Sequence, residues 1–177
     1  MRESIGGALT LEIVIIFMVL VNSYLAYSVN YSKAFKVKNS IIDLIENNEG
    51  YPSGTAVSCT ANNTDDSFAG KLCAILNSYG YNAKGYPAKD KGCSDVPHAP
   101  GLDDLGICII PHTNIIGQES VDNKYQGVYY TVYSYINIDL PIIRNIFENM
   151  MPSVFRISGD TNIIYSSGGD VFLGTNP

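Results

Sequence analysis

The 177-residue sequence predicts an α+β fold, in which a long N-terminal helix with a transmembrane first half packs on a small antiparallel-sheet external domain. Three observations predict it. Residues 6–21, from Gly6 to Val21, form a near-continuous apolar run that matches a membrane-spanning helix once the helical pattern beyond it is included. Residues 125–139 alternate strictly, with Val128, Tyr130, Val132, Ser134, Ile136 and Ile138 set against Tyr129, Thr131, Tyr133, Tyr135 and Asn137, as a half-buried strand requires. Cys59, Cys73, Cys93 and Cys108 all lie beyond the apolar run, and an even cysteine count outside a membrane fits disulfides in an oxidising compartment.

The helix comes first. Its apolar run contains one carboxylate, Glu12. An acidic residue at the centre of a membrane helix costs about 2.5–3.5 kcal/mol, and intramembrane ionisable groups are functional candidates by default. Glu12 stands near the start of the run, so its cost is lower, and a signal anchor with one carboxylate among the headgroups is the plain alternative. Beyond the run, Tyr24, Tyr27, Tyr31, Phe35, Ile42 and Ile45 recur at helical spacing, with Lys38 interrupting the stripe. The aromatic part is expected to mark the membrane interface and then pack on the external domain; Ile41 to Ile45 read as the helix's own core contact. Gly50, with Pro52 just beyond, is the stop signal. A helix over residues 5–48 would be roughly 65 Å long.

Residues 51–66 read as loop, including the glycosylation triplet Asn62-Asn63-Thr64. Asp65, Asp66 or Ser67 then caps a short helix with one apolar face, Phe68, Leu72, Ile75, Leu76 and Tyr79, that ends at Gly80 with Cys73 beside the face. Residues 80–104 show no period and read as a long connection around Cys93. Residues 106–110 are a short buried strand closed by Pro111, and 114–123 a polar turn. Pro141 ends the long strand, Ile142 to Phe147 suggests a helical turn, and residues 154–166 return as a strand that Gly159-Asp160 bends. The remaining tail is polar.

Composition narrows the function. Charged residues are only 16% of the chain, against about 25% in ordinary soluble domains. The net charge of −6 offers no basis for nucleic-acid binding. No cysteine pair has the C-x-x-C spacing of common zinc sites, which leaves disulfides ahead of free buried thiols and of a metal. Short loops favour the bridges Cys59–Cys73 and Cys93–Cys108 among three possible connectivities. A removable secretory signal is opposed by the thin basic end and by Ser23-Tyr24-Leu25, a poor cleavage site. Lys33, Lys36 and Lys38 after the span, against Arg2 before it, argue against an external C-terminus, but the cysteines outweigh them. There is no phosphate-binding glycine loop and no His-Glu-x-x-His. His98 and His112 sit among prolines and read as surface residues, and Asp103-Asp104 as a solvent-facing pair. No catalytic residue, metal or cofactor is expected.

The spacing of Gly7, Ala8, Leu9-Thr10-Leu11 and Glu12 resembles the type IV pilin signature, in which a prepilin peptidase cuts after a glycine and a glutamate follows as the fifth mature residue. The long Tyr/Val/Thr strand, the Asp139-Leu140-Pro141-Ile142-Ile143 break and the returning strand are similar to the end of TadE-like minor pilins of tight-adherence pilus systems. The resemblance implies residues 1–7 as leader, cleavage between Gly7 and Ala8, residues 8–50 as transmembrane and extended helix, and residues 51–177 as an extracytoplasmic domain. It implies Glu12 as the assembly and register residue, paired with the Ala8 amine of a neighbouring subunit. The partners it implies are other pilin subunits through the N-terminal helix, a prepilin peptidase, a membrane assembly platform and the lipid bilayer. The alternatives are a membrane-anchored binding or adhesion ectodomain and a tethered hydrolase.

Overall fold

The computed structural model describes residues 2–52, 57–59, 66–114, 126–136 and 155–166. The expected sequon, the polar turn, the turn at 142–147 and the tail beyond 166 lie outside these residues. The architecture is α+β: helix α1 (Arg2–Asn47), helix α2 (Phe68–Ser78), a short helix α3 (Lys91–Ser94), and strands β1 (Ile107–Asn114), β2 (Gln126–Ile136), β3 (Phe155–Asp160) and β4 (Ile164–Ser166). β2 is the centre of an antiparallel sheet, with β1 on one side and β3 and β4 on the other.

α1 is 46 residues long and ends in a Schellman arrangement: Gly50 N–H donates to Ile45 O at 2.9 Å and Glu49 N–H to Glu46 O at 3.2 Å. The left-handed residue is Glu49 (φ 55°), one position before the glycine that signals the stop in the sequence. Only the last third of the helix is buried, through Ala34, Val37, Lys38, Ile41, Leu44 and Ile45. Of these, Val37, Ile41, Leu44 and Ile45 pack with Val128, Tyr130 and Val132 of β2 and with Leu72 and Leu76 of α2 in one core. Ile41 to Ile45 therefore do what the spacing predicts. The aromatic stripe packs on the external domain less than expected: Tyr24, Tyr27, Tyr31 and Phe35 stay exposed, and among the described residues Tyr27 is the ring that reaches the sheet, edge-on to Phe155 at 6.5 Å. Lys38 is a correction in the other direction. It lies in the packed face, its ammonium 3.5 Å from Ser158 O and 4.8 Å from the Phe35 ring centre, because its aliphatic stem covers β3 while the charge reaches a carbonyl and a ring face.

α2 is capped by Ser67, whose hydroxyl accepts from Gly70 N–H at 3.1 Å. The connection from 80 to 104 holds more structure than its sequence suggests. Pro87–Lys89 and Asp103–Leu105 are 3₁₀ turns, and Asp90 caps α3 by accepting from Gly92 N–H. β1 does not stop at Pro111 but runs to Asn114, with Pro111 opposite Tyr130. Ile109 O accepts from Ala99 N–H outside the sheet, so residue 109 points its polar groups outward, and Pro111, two residues on, does the same. The missing proline N–H thus costs no ladder bond. The returning strand is interrupted at 161–163, not at Gly159-Asp160, because Thr161 leaves the ladder to hydrogen-bond Tyr130 through both its N–H and its hydroxyl.

β1 alternates between two cores. Ile107 and Ile109 join the α1 side, whereas Cys108 and Ile110 face Ala83, Cys93 and Tyr135 on the other. The segment from 80 to 105 thereby covers part of the sheet face that α1 leaves open.

Candidate functional site

Among the described residues, the apolar first half of α1 packs against no other element. Leu9, Leu11, Ile13, Val14, Ile15, Ile16, Phe17, Met18 and Leu20 are all exposed. This is one helix long and apolar enough to cross a membrane, with a mean hydropathy of 2.1 in its most apolar window and none of that window buried. Two of its hydroxyls are satisfied inside the helix: Thr10 donates to Gly6 O at 2.8 Å and Ser23 to Val19 O at 2.7 Å. That is the arrangement an environment without water demands. Gly7 and Ala8 lie exposed on this helix, and a Cβ on Gly6 or Gly7 would meet no atom within 4 Å. Glu12 is exposed one turn further on and makes no hydrogen bond or ion pair among the described residues.

All four cysteines are bridged, Cys59 to Cys73 and Cys93 to Cys108, in the short-loop pairing, with Cα separations of 5.4 and 6.2 Å. The first bridge ties the chain leaving α1 to the buried face of α2. The second ties α3 to β1. With no free thiol, a Cys–His nucleophile has no nucleophile. His112 stacks on Tyr129 with ring centres 4.7 Å apart.

Two polar groupings emerge that the sequence pattern does not announce. Asp90 accepts from Gly92 N–H, from the Tyr135 hydroxyl at 3.1 Å and from Arg156, which also lies over the Tyr133 ring. Burial raises the Asp90 pKa, but the hydrogen bonds from Arg156, Gly92 and Tyr135, with the Arg156 charge, outweigh it and hold the carboxyl below its usual value. Burial, followed by the nearby Asp90 charge, pushes the Tyr135 phenol far up. The second grouping is His98 with Asp103, Nε2 to Oδ2 at 3.3 Å, beside Cys93. Desolvation lowers the His98 pKa, yet its hydrogen bonds to Val96 O and Asp103 and the Asp103 charge raise it overall. Only the regular spacing Cys93-x4-His98-x4-Asp103-x4-Cys108 hints at that convergence.

The structure brings the cysteines together in pairs and leaves Gly7, Ala8 and Glu12 on a bare helix, about 33 Å (Glu12) to 40 Å (Gly7) from Ala34, where its burial begins, at 1.5 Å per residue. No protein-family model matches the chain, and no curated protein or solved structure matches it with statistical significance.

Proposed function

We propose that this chain is a pilin-like, TadE-like structural subunit. It is anchored by a single N-terminal span, carries its disulfide-bonded domain outside the cell, and takes part in assembling or priming a pilus or a related secretion filament. The observation that supports this most is the unpartnered Glu12 carboxylate on a bare apolar helix, five residues after Gly7. A carboxylate in lipid needs a partner. Cleavage after Gly7 would create an ammonium on Ala8, and a neighbouring helix of the same kind would bring it to Glu12. The two glycines add support. Each costs a helix about 1 kcal/mol relative to alanine, and no packing among the described residues explains Gly6 or Gly7.

The test is Glu12→Gln. Removing one member of a buried ion pair commonly costs about 3–5 kcal/mol, and even half of that lowers an association constant more than tenfold. The variant should insert and fold normally but fail to co-purify with its assembly partners. Undiminished partner recovery would remove the assembly role and leave a membrane-anchored binding or adhesion ectodomain as the better reading.

A further inference from the structure

We propose that the Cys93–Cys108 loop is a latent site for a thiophilic divalent cation such as Zn²⁺, with four ligands: the two thiolates released when the bridge is reduced, His98 Nε2 and the Asp103 carboxylate. The inference is independent of the pilin-like reading.

Convergence is the first support. The donor atoms of Cys93, His98 and Asp103 all lie within 4.8 Å of one another, and Cys108 Sγ, bonded to Cys93 Sγ, stands at the edge of that group as the fourth donor of the loop. Their types are those of a tetrahedral zinc site. The second support is the His98–Asp103 distance. At 3.3 Å it is longer than a charge-assisted N–H···O bond, usually about 2.7–2.9 Å. It equals the roughly 3.3 Å edge between a nitrogen and an oxygen ligand each bound about 2.0–2.1 Å from zinc.

Orientation is the third. His98 Nδ1 lies 2.8 Å from Val96 O. With the Nδ1 proton donated there, Nε2 is the nitrogen that would exchange its hydrogen bond to Asp103 for the metal, the backbone carbonyl fixing the ring as it commonly does for metal-bound histidines. Pro97 and Pro100 restrict the backbone on either side of this histidine.

The loop is also held by more than its bridge. Ala99 N–H donates to Ile109 O at 3.0 Å, Ile107 N–H to Leu102 O at 3.2 Å, and Leu102 is fully buried. Opening the disulfide therefore leaves His98 and Asp103 attached to β1. A dithiol reductant would break the S–S bond, delivering two electrons and two protons and leaving as its own disulfide. Metal binding would then release the two thiol protons to solvent. Either the bridge or the metal can clip the same loop, so the metal form would hold the fold wherever the chain meets reducing conditions.

The experiment uses the full chain in detergent, reduced with a phosphine, desalted without oxygen and titrated with Co²⁺, then Zn²⁺. One equivalent of Co²⁺ should give a tetrahedral thiolate spectrum that Zn²⁺ abolishes. Bound Zn²⁺ should protect Cys93 and Cys108 from alkylation, read by peptide mass spectrometry, while Cys59 and Cys73 react. His98→Ala and Asp103→Ala should each weaken binding at least tenfold, and His98→Cys should restore it. Equal reactivity of all four thiols, wild-type binding by both alanine variants, or equal binding by the oxidised chain would each overturn the proposal.

Discussion

Tyr81→Phe removes a single oxygen from the join between the two halves of the core. β1 begins at Ile107, opposite Ser134, and Gly106 before it turns away in a left-handed conformation (φ 75°). Tyr135, the next residue of β2, thus faces no strand partner on that side. The Tyr81 hydroxyl stands in the gap. It accepts from Tyr135 N–H at 2.7 Å and donates to Gly106 O at 2.6 Å, with Tyr135 O 3.1 Å away. Burial pushes this phenol far above its usual pKa, so it stays a neutral donor at any ordinary pH. Phenylalanine fills the same volume but strands one backbone N–H and one carbonyl, each worth about 1–3 kcal/mol when buried without a partner. These groups are only part-buried, so water recovers some of the loss. The expected net cost is about 2–3 kcal/mol, or roughly 5–15 °C in midpoint for a folding unit of this size. Near-ultraviolet circular dichroism of the tyrosines during thermal unfolding would read it in a chain without tryptophan. Tyr79→Phe is the control, since among the described residues that hydroxyl has only a 3.4 Å contact with Ser40. A shift below about 2 °C, or one equal to the control's, would refute the idea that Tyr81 completes the ladder.

Gly106→Ala should destabilise by at least about 2 kcal/mol, because the left-handed backbone penalises a side chain and the new Cβ would run into the Ala83 carbonyl. Gly85→Ala, with the same φ but nothing within 4 Å, should show the conformational strain alone, and urea midpoints of the pair separate the two effects. Asp90→Asn should keep the cap on α3 but lose the charge pairing with Arg156, at a cost of up to about 1 kcal/mol at neutral pH because Arg156 is 38% exposed. Since the folded Asp90 pKa lies below its unfolded value, that contribution is present above the unfolded value and fades as pH falls through the folded one. Stability curves of wild type and variant should therefore converge in acid. Intact-mass measurement of protein extracted from membranes of a host with prepilin peptidase should find chains beginning at Ala8; only Met1-initiated chains would sink the processing proposal.

What the sequence alone determined is whatever local chemistry and short loops control. Apolar continuity made α1 a helix, Ser67 before an apolar face started α2, and period-two alternation made β2 a strand, although the burial of Thr131 and Tyr135 shows that its second face is covered too, which the alternation did not predict. Two loops of 14 and 15 residues favoured the disulfide pairs by simple proximity. Tertiary structure decided everything that depends on which side of an element meets another. Lys38 looks like a break in an apolar stripe until β3 supplies a carbonyl for its ammonium. Pro111 looks like a strand end until the outward direction of residue 109 frees its position from the ladder. The same holds for the polar groupings: Asp90 and Arg156 are 66 residues apart, and periodicity carries no information across that distance. His98 meets Asp103 only because Ala99 and Leu102 pin the loop to β1, through a backbone bond and a buried side chain that no residue pattern encodes. Gly7, Ala8 and Glu12 are the reverse case. Their spacing is plain in the sequence, and among the described residues the folded chain gives them no packing partner, as the proposed pairing between subunits would require.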